Sequence, residues 1–243
     1  MRAKALAPWV LALAMVGAGC RASPEAEPET AKARLGLMTS LPIYWAEAHD
    51  VGEMLQAREQ PAQVRQALET RFVLEPLDTL EAETLRGHRL LLLAQPRPLT
   101  PLENVALDRW VREGGRVLVF ADPMLTRHSH FGVGDKRRAQ DVVLLSPILK
   151  HWGLELSFDP AQSPPERRVD IAGAQVPVSL AGTLSALPGG NCDVSSKAIL
   201  ASCQIGRGTV TVLADAAVLD DAEDGDSQQR SDAILRLSSL AFD

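Results

Sequence analysis

Two aspartates and two histidines are the side chains of this sequence best suited to acid–base chemistry or metal binding. Asp122 and Asp215 each directly follow an apolar run, and paired carboxylates at strand ends can act as general acid and base. His128 and His130 form a His-x-His sequence, and neutral imidazoles at that spacing can share a metal ion. Aspartates in such positions more often accept hydrogen bonds from the following turn, and no third metal ligand is evident. We therefore expect no metal and no cofactor, and binding in preference to catalysis.

Motifs and charge disfavour several other classes of protein. The sequence contains neither a Gly-x-Ser-x-Gly nucleophile elbow nor a phosphate loop ending in Gly-Lys-Ser/Thr. Its 243 residues carry a formal net charge of −6 at pH 7. A net acidic chain argues against nucleic acid and anionic lipid as partners.

Two apolar strands and the helix between them would position Asp122. Arg89–Ala94 and Val117–Ala121 are apolar on successive residues, as strands covered on both faces of a sheet are. A short helical crossover of this kind joins parallel strands. We therefore predict that the two strands are adjacent, parallel and central. Gln95 and Asp122 would then lie at the carboxyl edge, where such sheets bind ligands.

The helix of this unit has clear start and stop signals. Thr100-Pro101-Leu102-Glu103 is a capping box with proline at the first helical position, and Gly114-Gly115 ends the helix. Apolar residues recurring at helical spacing are predicted to face the sheet, namely Leu102, Val105, Ala106 and Trp110. Tryptophans are usually highly buried, and we expect this of Trp45, Trp110 and Trp152.

Strands alternate with helices along the rest of the chain, which predicts one doubly wound α/β domain over residues 35–243. A helix is predicted at Pro61–Thr70. A β-rich excursion around residues 164–205 carries short hairpins, and Gly206-Arg207-Gly208 is predicted to turn a further hairpin. The loop Thr126–Gln140 is long and polar enough to cover the sheet edge.

Segments that follow predicted strands should converge at one edge of this sheet, because the carboxyl ends of parallel strands gather on one side. The candidate binding residues in these segments are Tyr44, Gln95, Asp122, His128, His130 and Asp215.

The N-terminus predicts export and lipidation. Within residues 1–20, Arg2 and Lys4 precede an apolar stretch that is too short to span a membrane comfortably. The segment ends in Gly-Ala-Gly-Cys at Cys20, which is similar to a bacterial lipobox. The first of these glycines departs from the larger apolar residue usual there, and an ordinary secretory signal is the alternative. We expect a signal peptide and a lipidated Cys20.

The residues after Cys20 bear on the location of the protein. Residues 21–34 are rich in Ala, Pro and Glu and are expected to form a flexible tether. Arg21 is not the aspartate associated with inner-membrane retention, so a periplasm-facing position at the outer membrane is favoured over the inner membrane. An exported compartment permits disulfides, and we expect Cys192 and Cys203 to be bonded, with two free thiols as the alternative.

Two stretches carry a family resemblance, Ala106–Pro123 and Ile205–Asp221. In this order they resemble the GldG-like extracytoplasmic domains associated with ABC transporters. The resemblance implies a flavodoxin-like, mostly parallel sheet similar to class I glutamine amidotransferases, with a β-hairpin-rich C-terminal portion. Catalytic amidotransferases have a cysteine in the turn after a central strand, whereas Asp122-Pro123 stands here. The resemblance therefore implies the fold without that chemistry, and a lipid anchor in place of the family's membrane helices.

These observations favour a membrane-anchored, extracytoplasmic, non-catalytic binding or accessory domain of an ABC-type transport or envelope system. Its expected partners are subunits of a membrane transporter or other envelope proteins. Two alternatives remain open at this point. One is a hydrolase using Asp122, His128 or His130 at the sheet edge, and the other is a solute-binding lipoprotein.

Overall fold

Eleven strands and five α-helices form the described part of the chain. The computed structural model describes residues 31–48, 52, 62–163, 165–221 and 226–243. The strands are β1 (Ala33–Thr39), β2 (Phe72–Pro76), β3 (Leu90–Ala94), β4 (Arg116–Phe120), β5 (Leu154–Ser157), β6 (Arg167–Ile171), β7 (Ala174–Val178), β8 (Thr183–Ala186), β9 (Cys192–Ser195), β10 (Leu200–Ile205) and β11 (Gly208–Leu213). The helices are α1 (Gln63–Glu69), α2 (Ala82–Arg86), α3 (Pro101–Arg112), α4 (Ser146–His151) and α5 (Ser227–Phe242), with a 3₁₀ turn at Ala217–Leu219.

A seven-stranded sheet in the order β2-β1-β3-β4-β11-β10-β9 is the centre of the domain. Its first five strands are parallel, whereas β10 and β9 extend it antiparallel beyond β11. The five parallel strands reproduce the flavodoxin-like order, with β11 as the fifth strand. Two small antiparallel sheets, β5-β8 and β6-β7, lie outside it. The predicted doubly wound fold with a hairpin-rich C-terminal portion is confirmed.

The two strands predicted to be central are neighbours and parallel, with Leu92 opposite Leu118. Successive residues of each strand enter opposite cores: Leu118 and Phe120 face one side of the sheet, while Val117 and Val119 face the other. This explains why residues 90–94 and 117–120 are apolar on successive positions, since neither face of the sheet is open to water there.

Helices cover both faces of the sheet. On one face, α1, α5 and the β6–β7 hairpin supply the core. The helix α1 lies within the range predicted from the sequence, and its residues Val64, Ala67 and Leu68 are buried there. On the other face, α2, α3, α4, β5 and β8 supply it, and Trp152 is buried among them. The described residues from Lys32 to Asp243 form one compact unit.

The rotation of α3 about its axis differs from the prediction. Leu102 and Val105 are 78% and 60% exposed, whereas Leu107 and Val111 are buried together with Glu103. The sequence interpretation of that helical face was therefore wrong for Leu102 and Val105, whereas Ala106 and Trp110 are half-buried and pack against the core. The capping box is confirmed.

Glu103 is the physical reason for this rotation. Its carboxylate accepts hydrogen bonds from the Thr100 and Leu80 amides at 2.8 and 3.1 Å, and pairs with Arg97 at 2.7 Å. These partners hold a charged residue on the inner face of the helix and lower the pKa of Glu103 to about 2, with Arg97 as the main cause.

Two C-terminal predictions are also confirmed. Cys192 and Cys203 lie opposite each other on β9 and β10 and are joined by a disulfide. The hairpin of β10 and β11 turns at Gly206 and Arg207, and packs against the end of α3. A Cβ atom at Gly208 would lie 2.1 Å from the Val111 carbonyl oxygen, so only glycine fits there.

The predicted signal peptide and Cys20 lie outside the described residues, as does most of the predicted tether, of which Ala33 and Arg34 belong to β1. Among the residues that the structure describes, no helix combines the length and apolar composition that a membrane crossing requires.

Candidate functional site

Gln95 connects the ends of three strands at the carboxyl edge of the sheet. Its side chain is fully buried, accepting a hydrogen bond from the Asp122 amide at 2.9 Å and donating to the Asp122 carbonyl oxygen at 3.0 Å. The side chain also donates to the Gln140 carbonyl oxygen at 2.8 Å, and the backbone carbonyl oxygen of Gln95 accepts from the Ser40 hydroxyl at 2.5 Å. The residue has a φ of 46°, a left-handed conformation that these contacts hold in place.

Asp122 lies beside this amide and is only 1% exposed. One carboxylate oxygen accepts from the Met124 amide at 2.8 Å, and the other accepts from the Ala216 amide at 3.1 Å. Burial raises the pKa of Asp122 to about 6, since loss of hydration outweighs the two amide hydrogen bonds. The carboxylate therefore fastens the turn after β4 to the turn after β11.

Asp215 has the same arrangement at the end of β11. It is fully buried, and its two oxygens accept from the Ala217 and Ser179 amides at 2.7 and 2.8 Å. Burial first, and then the charge of Asp122, raise the pKa of Asp215 well above its usual range. Both oxygens of each aspartate are thus occupied by backbone N–H groups inside the protein.

The two histidines lie elsewhere, on the surface of the loop after β4. His128 and His130 are exposed and line a groove of about 460 Å³, together with Pro42, Glu47, Gln66 and Arg127, among others. Asp122 is not among the residues lining this groove. Within the described ranges, no cluster of three or more His, Cys, Asp or Glu side chains is placed to hold a metal ion. Five of the six predicted site residues therefore divide into a buried network and a surface pair, and the sixth, Tyr44, is half-buried.

Glu47 and Arg127 are site residues that the sequence interpretation missed. One oxygen of Glu47 accepts from the Ser129 hydroxyl at 3.1 Å and from the His130 amide at 3.0 Å, which ties the loop to the segment after β1. Arg127 pairs with Asp220 at 3.1 Å. No local pattern marks either residue, because each partner is distant in the sequence.

A second groove adjoins the first and shares Pro42, Ala46 and Glu47 with it. Its volume is about 270 Å³, and its walls include Trp45, Phe131 and Arg137. We call the residues lining the two grooves the edge surface. It lies where the loop from β1 meets the loop from β4.

Aromatic side chains dominate one end of the edge surface. Trp45 is 57% exposed, so the prediction that it is a core residue was wrong. Its ring meets that of Tyr44 edge-on, with centroids 4.9 Å apart, and the Arg65 guanidinium lies 4.2 Å above the Tyr44 ring. Tyr44 thus supports Trp45 from behind. Arg137 stacks on Phe131 at 4.1 Å in the same way.

The fold and the edge define a flavodoxin-like α/β domain in which the polar groups at the strand ends hold the loops together. The sequence places it more narrowly, because residues 32–179 match the profile of the auxiliary domain of an ABC-type uncharacterized transport system. The chain belongs to this family. A comparison with curated proteins gave no match.

Several solved structures are similar to this chain at low sequence identity. The exo-beta-1,4-mannosidase Op5Man5 from Opitutaceae bacterium strain TAV5 aligns at 11% identity with a TM-score of 0.50, covering 86% of this chain and 36% of that enzyme. The N-terminal domain of mmIFT52 aligns at 17% identity over 84% of this chain and 96% of its own, with a TM-score of 0.47. The cytoplasmic protein STM3548 from Salmonella typhimurium aligns at 9% identity over 86% and 99%, with a TM-score of 0.46. Likeness at these identities concerns the fold alone.

Proposed function

We propose that this protein is a membrane-anchored, extracytoplasmic and non-catalytic binding domain, and that its edge surface contacts a transporter or another envelope subunit. Its family is an auxiliary domain of an ABC-type transport system, which makes transporter components the natural partners. The observation that carries the proposal is that the aspartates at the ends of β4 and β11 are buried and hydrogen-bonded to the backbone. Asp122 and Asp215 are buried and occupied by backbone amides, so neither is available to an external substrate.

The hydrolase alternative requires an acid or base within hydrogen-bond reach of its substrate. His128 and His130 line an open groove, whereas the carboxylates of Asp122 and Asp215 accept hydrogen bonds from backbone amides inside the protein. Glu47 accepts a hydrogen bond from the backbone amide of His130 and so positions the loop. The geometry therefore favours binding over catalysis.

The composition of the edge surface suits a protein partner. Trp45 and Arg137 are exposed and are of the residue types that most often dominate binding energy at protein interfaces. Trp45 is braced by Tyr44 and Arg137 by the buried Phe131 ring, so little side-chain freedom would be lost on binding.

The membrane anchor of the proposal rests on the lipobox-like sequence ending at Cys20, and the GldG-like assignment rests on the ordered pair of motifs described above. Replacing Cys20 with Ala should release the protein from the membrane fraction of cells that produce it. A Cys20→Ala variant that still sediments with membranes and resists carbonate extraction would contradict the anchor.

The partner surface is tested by crosslinking in intact envelopes, followed by recovery of the protein and identification of what is attached. Trp45→Ala combined with His128→Ala should weaken partner recovery strongly, because truncating an interface tryptophan typically costs about 2 kcal/mol or more. Leu102→Ala is the control, since it removes from α3 an apolar side chain that is more exposed than Trp45. Normal recovery of a transporter subunit with the double variant would show that the edge surface is not the contact.

A further inference from the structure

Three arginines converge at the opposite, amino-terminal edge of the sheet. Arg116 begins β4 and lies in register with Leu90 of β3 and Thr209 of β11. Arg89 directly precedes β3, and Arg207 lies in the turn that leads into β11. The three side chains line one cleft of about 680 Å³, which Ala33, Glu113 and Gly114 also line.

These arginines lack the carboxylate partners that most arginines of this protein have. Arg116 donates to the Phe242 carbonyl oxygen, and Arg207 donates to the Glu113 carbonyl oxygen at 3.1 Å. In the part of the chain that the structure describes, the arginines with no carboxylate oxygen within 4.0 Å are Arg89, Arg109, Arg116, Arg167, Arg207 and Arg236. Three of these six line the cleft. Each guanidinium has five N–H donors, so donors remain for an anion.

The backbone fixes the position of Arg207 at the cleft. Its amide donates to the Arg112 carbonyl oxygen at 3.0 Å, and Gly208 packs too closely against α3 for any side chain. Arg207 is itself exposed, so its guanidinium extends from a rigid turn into solvent at the rim of the cleft. A site built on rigid backbone binds with little loss of conformational freedom.

We propose that this cleft binds a phosphate-bearing anion. Guanidinium groups match the geometry of phosphate oxygens, and Glu113 is the single acidic residue among those lining the cleft. The net charge of −6 does not oppose this, because screening in salt limits each charge to a range of about 10 Å. Local charge therefore decides what enters the cleft.

The phosphate has two possible sources, a phospholipid headgroup or a soluble phosphate compound. β1 begins at Ala33 in the wall of the cleft, so the N-terminal segment joins the domain at this edge. The headgroup source rests on the proposed lipid anchor, whereas the anion site itself does not. A Cys20→Ala variant that stays with the membranes would contradict the lipid anchor but leave the anion proposal intact.

The test compares the full chain with Arg89→Gln/Arg207→Gln and with a control, Arg109→Gln/Arg167→Gln. Both variants remove two exposed arginines that have no carboxylate partner, but only the first changes the cleft. Calorimetric titration with inorganic phosphate at constant ionic strength should show binding that the cleft variant weakens at least tenfold, as hydrogen bonds to charged groups are strong. The control should bind as the wild type does.

Flotation with vesicles distinguishes the two sources, with every chain carrying the same N-terminal segment. One set of vesicles is phosphatidylcholine mixed equally with phosphatidylglycerol, and the other is phosphatidylcholine alone. If the source is a headgroup, the wild type should prefer the mixed vesicles, and inorganic phosphate should compete with this binding. The cleft variant should then show a preference reduced about 30-fold. Phosphate binding without that preference identifies a soluble ligand, and also supports the site. Absence of phosphate binding by the wild type, or equal losses in the cleft and control variants, would overturn the proposal. Arg116 and Arg207 would then serve only to cap the carbonyl ends of α5 and α3.

Discussion

Replacing Asp122 with Asn should change how the stability of the protein depends on pH. Burial raises the pKa of Asp122 from 3.8 to about 6 in the folded state. As the pH rises, the unfolded chain loses this proton first, so the contribution of Asp122 to folding is fully present below about pH 4 and declines up to about pH 6. A shift of about two pKa units corresponds to about 3 kcal/mol. Asn does not ionise, and its contribution does not decline.

The substitution has a second effect that does not depend on pH. An Asn side chain has one acceptor oxygen, so its NH₂ group would face the amide of either Met124 or Ala216. An unsatisfied buried donor costs about 1–3 kcal/mol. The variant should therefore be less stable than the wild type near pH 4, and this deficit should disappear or reverse near pH 7. Removing the charge of Asp122 also relieves Asp215, which acts in the same direction.

Urea unfolding at a series of pH values gives the free energy of unfolding of both proteins, provided that the transition is two-state. The quantity to follow is the difference in this free energy between variant and wild type. Asp232→Asn on α5 is the matched control, because it makes the same chemical change at an exposed residue. A difference that stays constant between about pH 4 and about pH 7 would refute the inference that a buried charge at Asp122 opposes folding.

Three further predictions follow from the packing. Leu118→Ala should lower the free energy of unfolding by about 2–5 kcal/mol because Leu118 is fully buried. Leu102→Ala should change it by less than about 0.5 kcal/mol because Leu102 is exposed. If urea unfolding shows that Leu102→Ala destabilises the protein as much as Leu118→Ala does, the rotation of α3 is contradicted. Replacing Cys192 and Cys203 together with Ala should lower the free energy of unfolding by about 3 kcal/mol. If mass spectrometry of wild-type protein purified from the envelope shows two free thiols, the bridge is ruled out. Glu103→Gln should lower the free energy of unfolding by about 2 kcal/mol at neutral pH, allowing for the partial exposure of Arg97. This loss should shrink as the pH falls from about 4.5 towards 2, because the wild-type carboxylate is then protonated. Acid unfolding of the variant that matches the wild type would argue against the Arg97 pair.

The centre of the fold could be predicted from sequence because its signals are local. The runs at Leu90–Ala94 and Val117–Ala121 are apolar at every position, and the capping box at Thr100 fixes the start of the helix between them. The rotation of α3 could not be predicted in this way. It depends on Glu103, a charged residue that becomes an inner-face residue only because Arg97 and the Leu80 amide lie within reach.

The location of the candidate site could be predicted, but the roles of its residues could not. Gln95, Asp122 and Asp215 do lie at the carboxyl edge of the sheet, as the topology requires. The two aspartates accept hydrogen bonds from backbone amides of distant segments, Asp215 from Ser179 and Asp122 from Ala216. The types of side chain in the sequence do not reveal such backbone partners.

The place of β11 in the sheet also governs the order in which the domain can be completed. Arg116 of β4 lies opposite Thr209 of β11, so the second neighbour of β4 comes from nearly the end of the chain. Until that segment is available, β4 presents unpaired N–H and C=O groups along an apolar strand, which is a template for association with other chains. Contacts that close so long a loop also form slowly. A chain that stops short of β11 should therefore aggregate rather than fold, even though it would contain all of the residues matched to the family.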